Sequence, residues 1–274
     1  MKFFFETDNM YRIIIILLVL WPFCSFSQLN QTDANGLRQG QWKKQQPNGK
    51  PLYEGQFKDD KPVGEWKRYH EGGQIKAIIN YDTDSDSAFA QLFDEWGKKV
   101  AEGNYIDEKK TGTWRYYSDD RLISDEQFAN GVKNGVSHMY YETGEKLEEA
   151  DWINGKEDGT HRVFFKNGKP FMEYKMKDGL RNGLCITYFQ NGGTELEANY
   201  KNGLRDGTWS FYNENGGLWY ILKYYDGDIL NPNVRDSIEN LKLQNFEKNK
   251  DNVVDPEKYL EDPAEFMMKK NINR

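Results

Sequence analysis

Six carboxylates recur in phase along this chain of 274 residues: Glu54, Glu102, Asp125, Glu149, Glu173 and Glu197. Acid chemistry needs two carboxyls in unequal environments, and ion binding needs several within one coordination shell. Acids that return in step with a repeat offer neither. Carried on successive strand pairs, they lie about 10 Å apart, too far for two neighbours to share a cation. The stripe is therefore read as a solvated face, as carboxylates holding Lys and Arg on adjoining strands, or as a docking surface for a basic partner. His70, His138 and His161 fall at unrelated places, with no H-E-x-x-H or Cys/His ligand spacing. The acids of Asp82 to Asp86 lack the glycine and distal glutamate of a calcium loop. No phosphate loop and no G-x-S-x-G precedes a helix. The expectation is a protein without catalytic residues, cofactor or metal.

A glycine that returns every 24 residues must position these acids. Gly40, Gly64, Ala88, Gly112, Gly135, Gly159, Gly183 and Gly207 start eight copies over residues 36–230, with one step of 23 between Gly112 and Gly135. Counting each start as zero, Trp42, Trp66, Trp114 and Trp209 stand at position two. Position five carries Tyr69, Phe93, Tyr117, Tyr140, Phe164, Tyr188 and Tyr212. Asn48-Gly49, Asn167-Gly168, Asn191-Gly192 and Asn215-Gly216 supply hairpin turns. After each such turn, alternating runs such as Tyr53, Gly55, Phe57 and Leu196, Ala198, Tyr200 mark one face of a second strand. Asn130-Gly131, Asn154-Gly155, Asp178-Gly179, Asn202-Gly203 and Asp226-Gly227 close each unit. The pattern predicts an all-β, elongated, single-layer antiparallel meander of stacked hairpins, with aromatic ladders on both faces and a length on the order of 80 Å. His161 and Cys185 take the Trp position of their copies and are expected to pack as smaller ladder members. The third copy, with Ala88 and Ala90, is expected to remain a hairpin.

The motif Gly-x-Trp-x-x-Tyr, Asn-Gly-Lys, Glu-x-x-Tyr, Asn-Gly-x-x-x-Gly resembles the variant MORN repeat, most clearly over Gly159 to Asn182, Gly183 to Asp206 and Gly207 to Gly227. The resemblance covers about 190 residues and implies β-hairpins stacked as a scaffold. Bacterial members of that class often carry a toxin–antitoxin label, which implies an antitoxin-like role as one possibility.

Composition bounds the partners. With 37% hydrophobic and 15% aromatic residues, apolar content is shifted from aliphatic side chains toward rings. A net charge of −7 argues against nucleic acid, whose affinity comes from Lys and Arg on phosphates. Cys24 and Cys185 build no disulfide framework. Residues 1–27 read as a signal peptide: Lys2 and Arg12 precede the apolar run Ile13 to Leu20, and Ser25-Phe26-Ser27 suits cleavage before Gln28. A start at Met10 gives a shorter leader, and an uncleaved anchor is the alternative. Residues 28–35 form a linker and 231–274 a partly helical tail, from Asn231-Pro232-Asn233 to a second helix start at Asp262-Pro263. That tail is expected to cover the last strand edge. The whole reads as an exported, periplasmic or cell-surface scaffold for a protein partner, with no stable membrane span after cleavage. A glycan-binding surface and an antitoxin are the alternatives. Trp66 and Trp114, with Glu54, Glu102, Glu149, Glu173 and Glu197, are the candidate contact residues.

Overall fold

The computed structural model describes residues 29–249, so the expected leader over residues 1–27 and the helix start at Asp262-Pro263 lie outside the described residues. The described residues divide into two units, one up to residue 108 and one from residue 109. In the first, β1 (Gln31–Thr32), β2 (Arg38–Gln45), β3 (Pro51–Lys58), β4 (Lys61–Tyr69), β5 (Ile75–Tyr81), β6 (Ser87–Phe93) and β7 (Lys99–Ile106) each pair antiparallel with the next. The second begins with β8 (Lys109–Ser118), β9 (Arg121–Ala129), β10 (Val132–Tyr140), β11 (Lys146–Ile153), β12 (Lys156–Phe164) and β13 (Pro170–Lys177). It continues with β14 (Leu180–Tyr188), β15 (Thr194–Lys201), β16 (Leu204–Arg205), β17 (Gly207–Tyr212), β18 (Leu218–Tyr225) and β19 (Asp228–Ile229). These strands also pair in chain order, β16 and β17 sharing β15 as their neighbour. Each unit is an antiparallel meander, as the turn phase predicts.

Two turn types alternate, and their chemistry sets the repeat length. Within a repeat the loop is a type I turn followed by a left-handed glycine: Gly49, at φ +82°, donates to the Gln46 carbonyl at 3.0 Å, and the Gln46 N–H donates to the Lys50 carbonyl at 2.8 Å. Between repeats, pairs such as Asp59-Asp60 and Asn202-Gly203 place two consecutive residues at positive φ, the tight turn that matches strand twist. The short step of 23 follows directly. Ser118 pairs with Arg121 across Asp119-Asp120, so this copy uses the two-residue turn inside the repeat as well.

The leading glycine marks a bulge. From Glu54↔Lys67 to Gln56↔Val63, β3 advances two residues while β4 uses four, with Gly64 at φ +64° in the excess. Ala88 cannot take that conformation cheaply, and there the bulge is missing: β5 and β6 pair without a shift from Tyr81↔Ala88 to Ala77↔Leu92. The longer loop Asp82 to Asp86 absorbs the residues instead, with Asp82 accepting from the Asp84 N–H at 2.8 Å and Asp86 pairing with Lys61 at 3.1 Å. The third copy thus keeps its hairpin, β6 against β7.

In each unit an asparagine continues the pairing along the end full-length strand beyond its short partner, β1 or β19. At β2, the Asn30 N–H donates to the Gln41 carbonyl and its side chain accepts from the Lys43 N–H. At β18, Asn231 accepts from the Lys223 N–H at 2.8 Å and donates to the Ile221 carbonyl at 2.9 Å. The helix α1 (Pro232–Asn249) follows, opened by proline at its first turn, and Val234 packs on the adjacent apolar cluster. Unpaired edge groups recruit further strands. Asn231→Ala is expected to promote association, read as a rise in mass with concentration by light scattering relative to the intact chain. An unchanged mass would show that Asn231 does not guard the edge.

Candidate interaction surface

Among the described residues of each unit, the buried ones lie on the strand face that carries position two and the alternating run of the second strand. Its packing follows a size rule across strands. Trp66 stands beside Gly55, whose Cβ, if present, would lie 2.2 Å from the indole. His161 pairs with Ala150 on one side and stacks on Tyr174 at 4.6 Å on the other, and Cys185 pairs with Tyr174 and Ala198. Where Ser137 takes the Trp position, Trp152 fills the space and donates its indole N–H to the Ser137 hydroxyl at 2.8 Å. Large residues alternate with small ones, which is how a single layer fills its own surface. Burial pushes the Cys185 thiol up, an effect that Arg181 opposes, so this cysteine packs as a small apolar group and not as a nucleophile.

This placement corrects the reading of Trp66 and Trp114 as contact rings. Trp66 is buried and Trp114 is 0% exposed, so neither presents a face to a protein or glycan. A further row went unread in the sequence. Arg38, Lys110, Lys133, Arg181 and Arg205 recur just before the leading glycine, and each lies over a ring. Arg38 is 3.8 Å from the Phe57 centroid, Lys110 4.3 Å from Trp114, Lys133 4.5 Å from Trp152, Arg181 4.5 Å from Tyr174 and Arg205 4.8 Å from Tyr224. Their phase was the available signal. They seal the aromatic face while keeping charge at the surface.

The opposite face carries the acids, and the structure brings them to cations and phenols. Glu54 accepts from Tyr69 at 2.6 Å and pairs with Lys43 at 3.0 Å, and both contacts hold its carboxyl below the usual range. Glu102 meets Lys99 at 2.9 Å. Asp125 accepts from Tyr140 at 2.5 Å and lies 3.0 Å from His138, whose other nitrogen is 3.5 Å from Glu149. Glu149 is held low mainly by Lys146 at 2.6 Å, then by Arg162, which also reaches Glu173 at 2.9 Å. Glu197 stands opposite Ile186 and Ser210 and accepts from Tyr212 at 3.1 Å. The stripe is a charge ladder, paired within strands at Glu102 and across strands at Glu54, Asp125 and Glu173, that thins toward the last repeats. The histidines take separate places: His138 in this ladder, His161 in the ring row, and His70 in a loop, 2.9 Å from the Phe93 carbonyl.

Tyr69 and Tyr140 give the ladder a pH signature. Burial first, then the hydrogen bonds to Glu54 and Asp125, push both phenols up to about 12. A folded value above the unfolded value near 10 means that the stabilisation is complete below about pH 10 and is lost as pH rises through about 12. Stability to urea is expected to fall across that window, and less steeply in Tyr140→Phe. A phenolate absorbance titration placing every tyrosine near its ordinary value would contradict the pairing.

Rings that remain open lie at hairpin ends and near α1. Trp96, in the turn of the third copy, is 84% exposed, and Trp219 and Tyr225 are exposed in the last repeat. Leu180 and Leu204 flank successive turns, each lying over the glycine of the following turn, Gly203 and Gly227. A cavity of about 520 Å³ is lined by Phe189, Glu195, Phe211, Tyr212, Asn213, Glu214, Trp219, Tyr220 and Lys242.

The repeat model described as MORN repeat variant matches residues 38–59, 62–83, 181–202 and 205–226. The middle copies lie outside those matches yet fold to the same hairpins. No curated protein matches the chain significantly. Among solved structures, the chain is similar to the crystal structure of TarM at 12% identity and a TM-score of 0.23, over 47% of this chain and 22% of that one. It is also similar to the GtfA/B complex bound to UDP and GlcNAc at 11% identity and a TM-score of 0.21, over 48% of this chain and 26% of that one. The match thus spans about a quarter or less of either structure's length, and overlap this slight carries no argument about function.

Proposed function

We propose that this chain, which carries MORN-variant repeats over residues 38–59, 62–83, 181–202 and 205–226, is a non-enzymatic, exported scaffold that holds a protein partner in the cell envelope. One observation carries the reading: Leu180, Leu204, Trp219 and Tyr225 stand exposed at hairpin ends, on strands whose aromatic rows are otherwise packed. Exposed apolar side chains on rigid strands are economical contact anchors. The export component rests on the expected leader over residues 1–27. Among the described residues no helix is long and apolar enough to cross a membrane.

Photo-crosslinking from Leu204 or Trp219 in the native cell is the test. The scaffold reading expects one discrete protein adduct from both positions and none from the exposed loop residue Glu71. Equal labelling at all three positions would contradict it. The exposed Trp96 and Trp219 rings favour carbohydrate binding as a second reading, distinguished by glycan-array retention that is lost in Trp96→Ala. An antitoxin-like role requires cytoplasmic residence, so fractionation separates it from the first.

A further inference from the structure

In the last repeat Phe211 and Tyr220 stack at 4.3 Å with 13° between planes, and Trp219 meets Tyr220 edge-on at 5.0 Å. These rings wall the 520 Å³ cavity together with Glu214 and with Glu195, whose carboxylate also accepts from the Thr187 hydroxyl at 3.3 Å. Aromatic faces beside negative charge attract a cation and offer a neutral polar ligand much less. Elsewhere in this unit cations lie over rings at distances from 4.3 Å, Lys110 on Trp114, to 5.8 Å, Lys146 on Phe164. Trp219 stands at position twelve of its copy, outside the row of rings that Lys133, Arg181 and Arg205 cover. Among the described lining residues the cation is Lys242, which comes from α1 and stands 5.8 Å from the ring centroid.

We propose that this pocket binds an alkylammonium group supplied as a lysine side chain of a partner polypeptide, and that Lys242 occupies its mouth as an intramolecular competitor. Charge complementarity carries the choice of occupant: two glutamates, Glu195 and Glu214, line the pocket against the single lysine, Lys242. Trp219, 53% exposed, leaves its face accessible once Lys242 swings away with its flexible stem. The proposal rests on the interaction-scaffold reading and names the chemistry of one contact. Its failure would remove this pocket, while the cross-linking result from Leu204 would stand or fall separately.

The test titrates the full chain with a short lysine–glycine peptide, followed by tryptophan fluorescence and by the ring resonances of Phe211 and Trp219. Binding is expected at low salt, weakened about fivefold or more in Trp219→Ala and similarly in Glu195→Gln, in line with the worth of a cation–π contact. Lys242→Ala is expected to tighten it about threefold or more, since it removes the competing occupant. Both Trp219 and Glu195 are accessible or half-buried, so these variants are expected to fold, and circular dichroism confirms it. Equal binding of the lysine-acetylated peptide would overturn the proposal. So would tighter binding of a neutral oligosaccharide through Trp219, weaker binding in Lys242→Ala, or no binding of the lysine peptide.

Discussion

Gly55→Ala is expected to lose about 3 kcal/mol of folding stability, at the upper end of the range for overpacking a filled core. The new Cβ would lie 2.2, 2.3 and 2.5 Å from three atoms of the Trp66 indole. Gly55 does not adopt positive φ, so the loss comes from steric conflict and not from backbone strain. The ring has nowhere to go. Phe57 packs edge-on against it at 4.7 Å, Tyr53 lies at 5.6 Å, and its N–H donates to the Gln56 carbonyl at 3.0 Å. Trp66→Leu frees the space that the methyl needs, so the double variant is expected to be more stable than the sum of the two single losses by about 1–2 kcal/mol. Urea denaturation of the four proteins measures this coupling. Strict additivity would mean that Gly55 and Trp66 do not share the space assigned to them.

Trp114→Ala is expected to cost about 3–5 kcal/mol, the usual loss for truncating a buried tryptophan. The indole is fully buried and lies under the Lys110 ammonium, whose affinity for its proton burial pushes down. The variant also separates two roles for this ring. A core tryptophan lowers the midpoint of unfolding and leaves binding by the remaining folded protein unchanged. A contact ring would do the reverse, and unaltered stability with lost partner capture would contradict its place in the core.

Much of the fold is legible in the sequence because turns are chemically conspicuous. Asn-Gly and Asp-Gly pairs in step with alternating strands admit few other structures. The step of 23 was visible as a number, but its cause, Asp119-Asp120 in a two-residue turn, required the register. Burial was less legible. In a single-layer sheet a ring at position two reads equally well as an exposed platform or as a ladder member, and only its neighbour decides. Gly55 is that neighbour for Trp66, and it sits on the previous strand, across a bulge that shifts the pairing.

The charged face divides in the same way. The acids were readable by phase. Their partners Lys43, Arg162 and His138 share one repeat position too, but opposition across strands appears only once the register is known. The cations over rings, Arg38 and Arg205 among them, stand two residues before the start in five of the eight copies; a lysine or arginine on a solvated strand attracts no notice until a ring lies beneath it. Trp219 and Lys242 obey no period, and their pocket became visible only in the fold.

The alternation of sizes across strands can be tested directly by nuclear Overhauser contacts in solution. The structure predicts contacts from the Ala150 methyl to the His161 ring and from the Ala198 methyl to the Trp209 ring, with none from the intervening Glu149 or Glu197 side chains to those rings. A strand slipped by one residue would exchange its two faces. Contacts from Glu149 to the His161 ring, with those from Ala150 missing, would contradict the account.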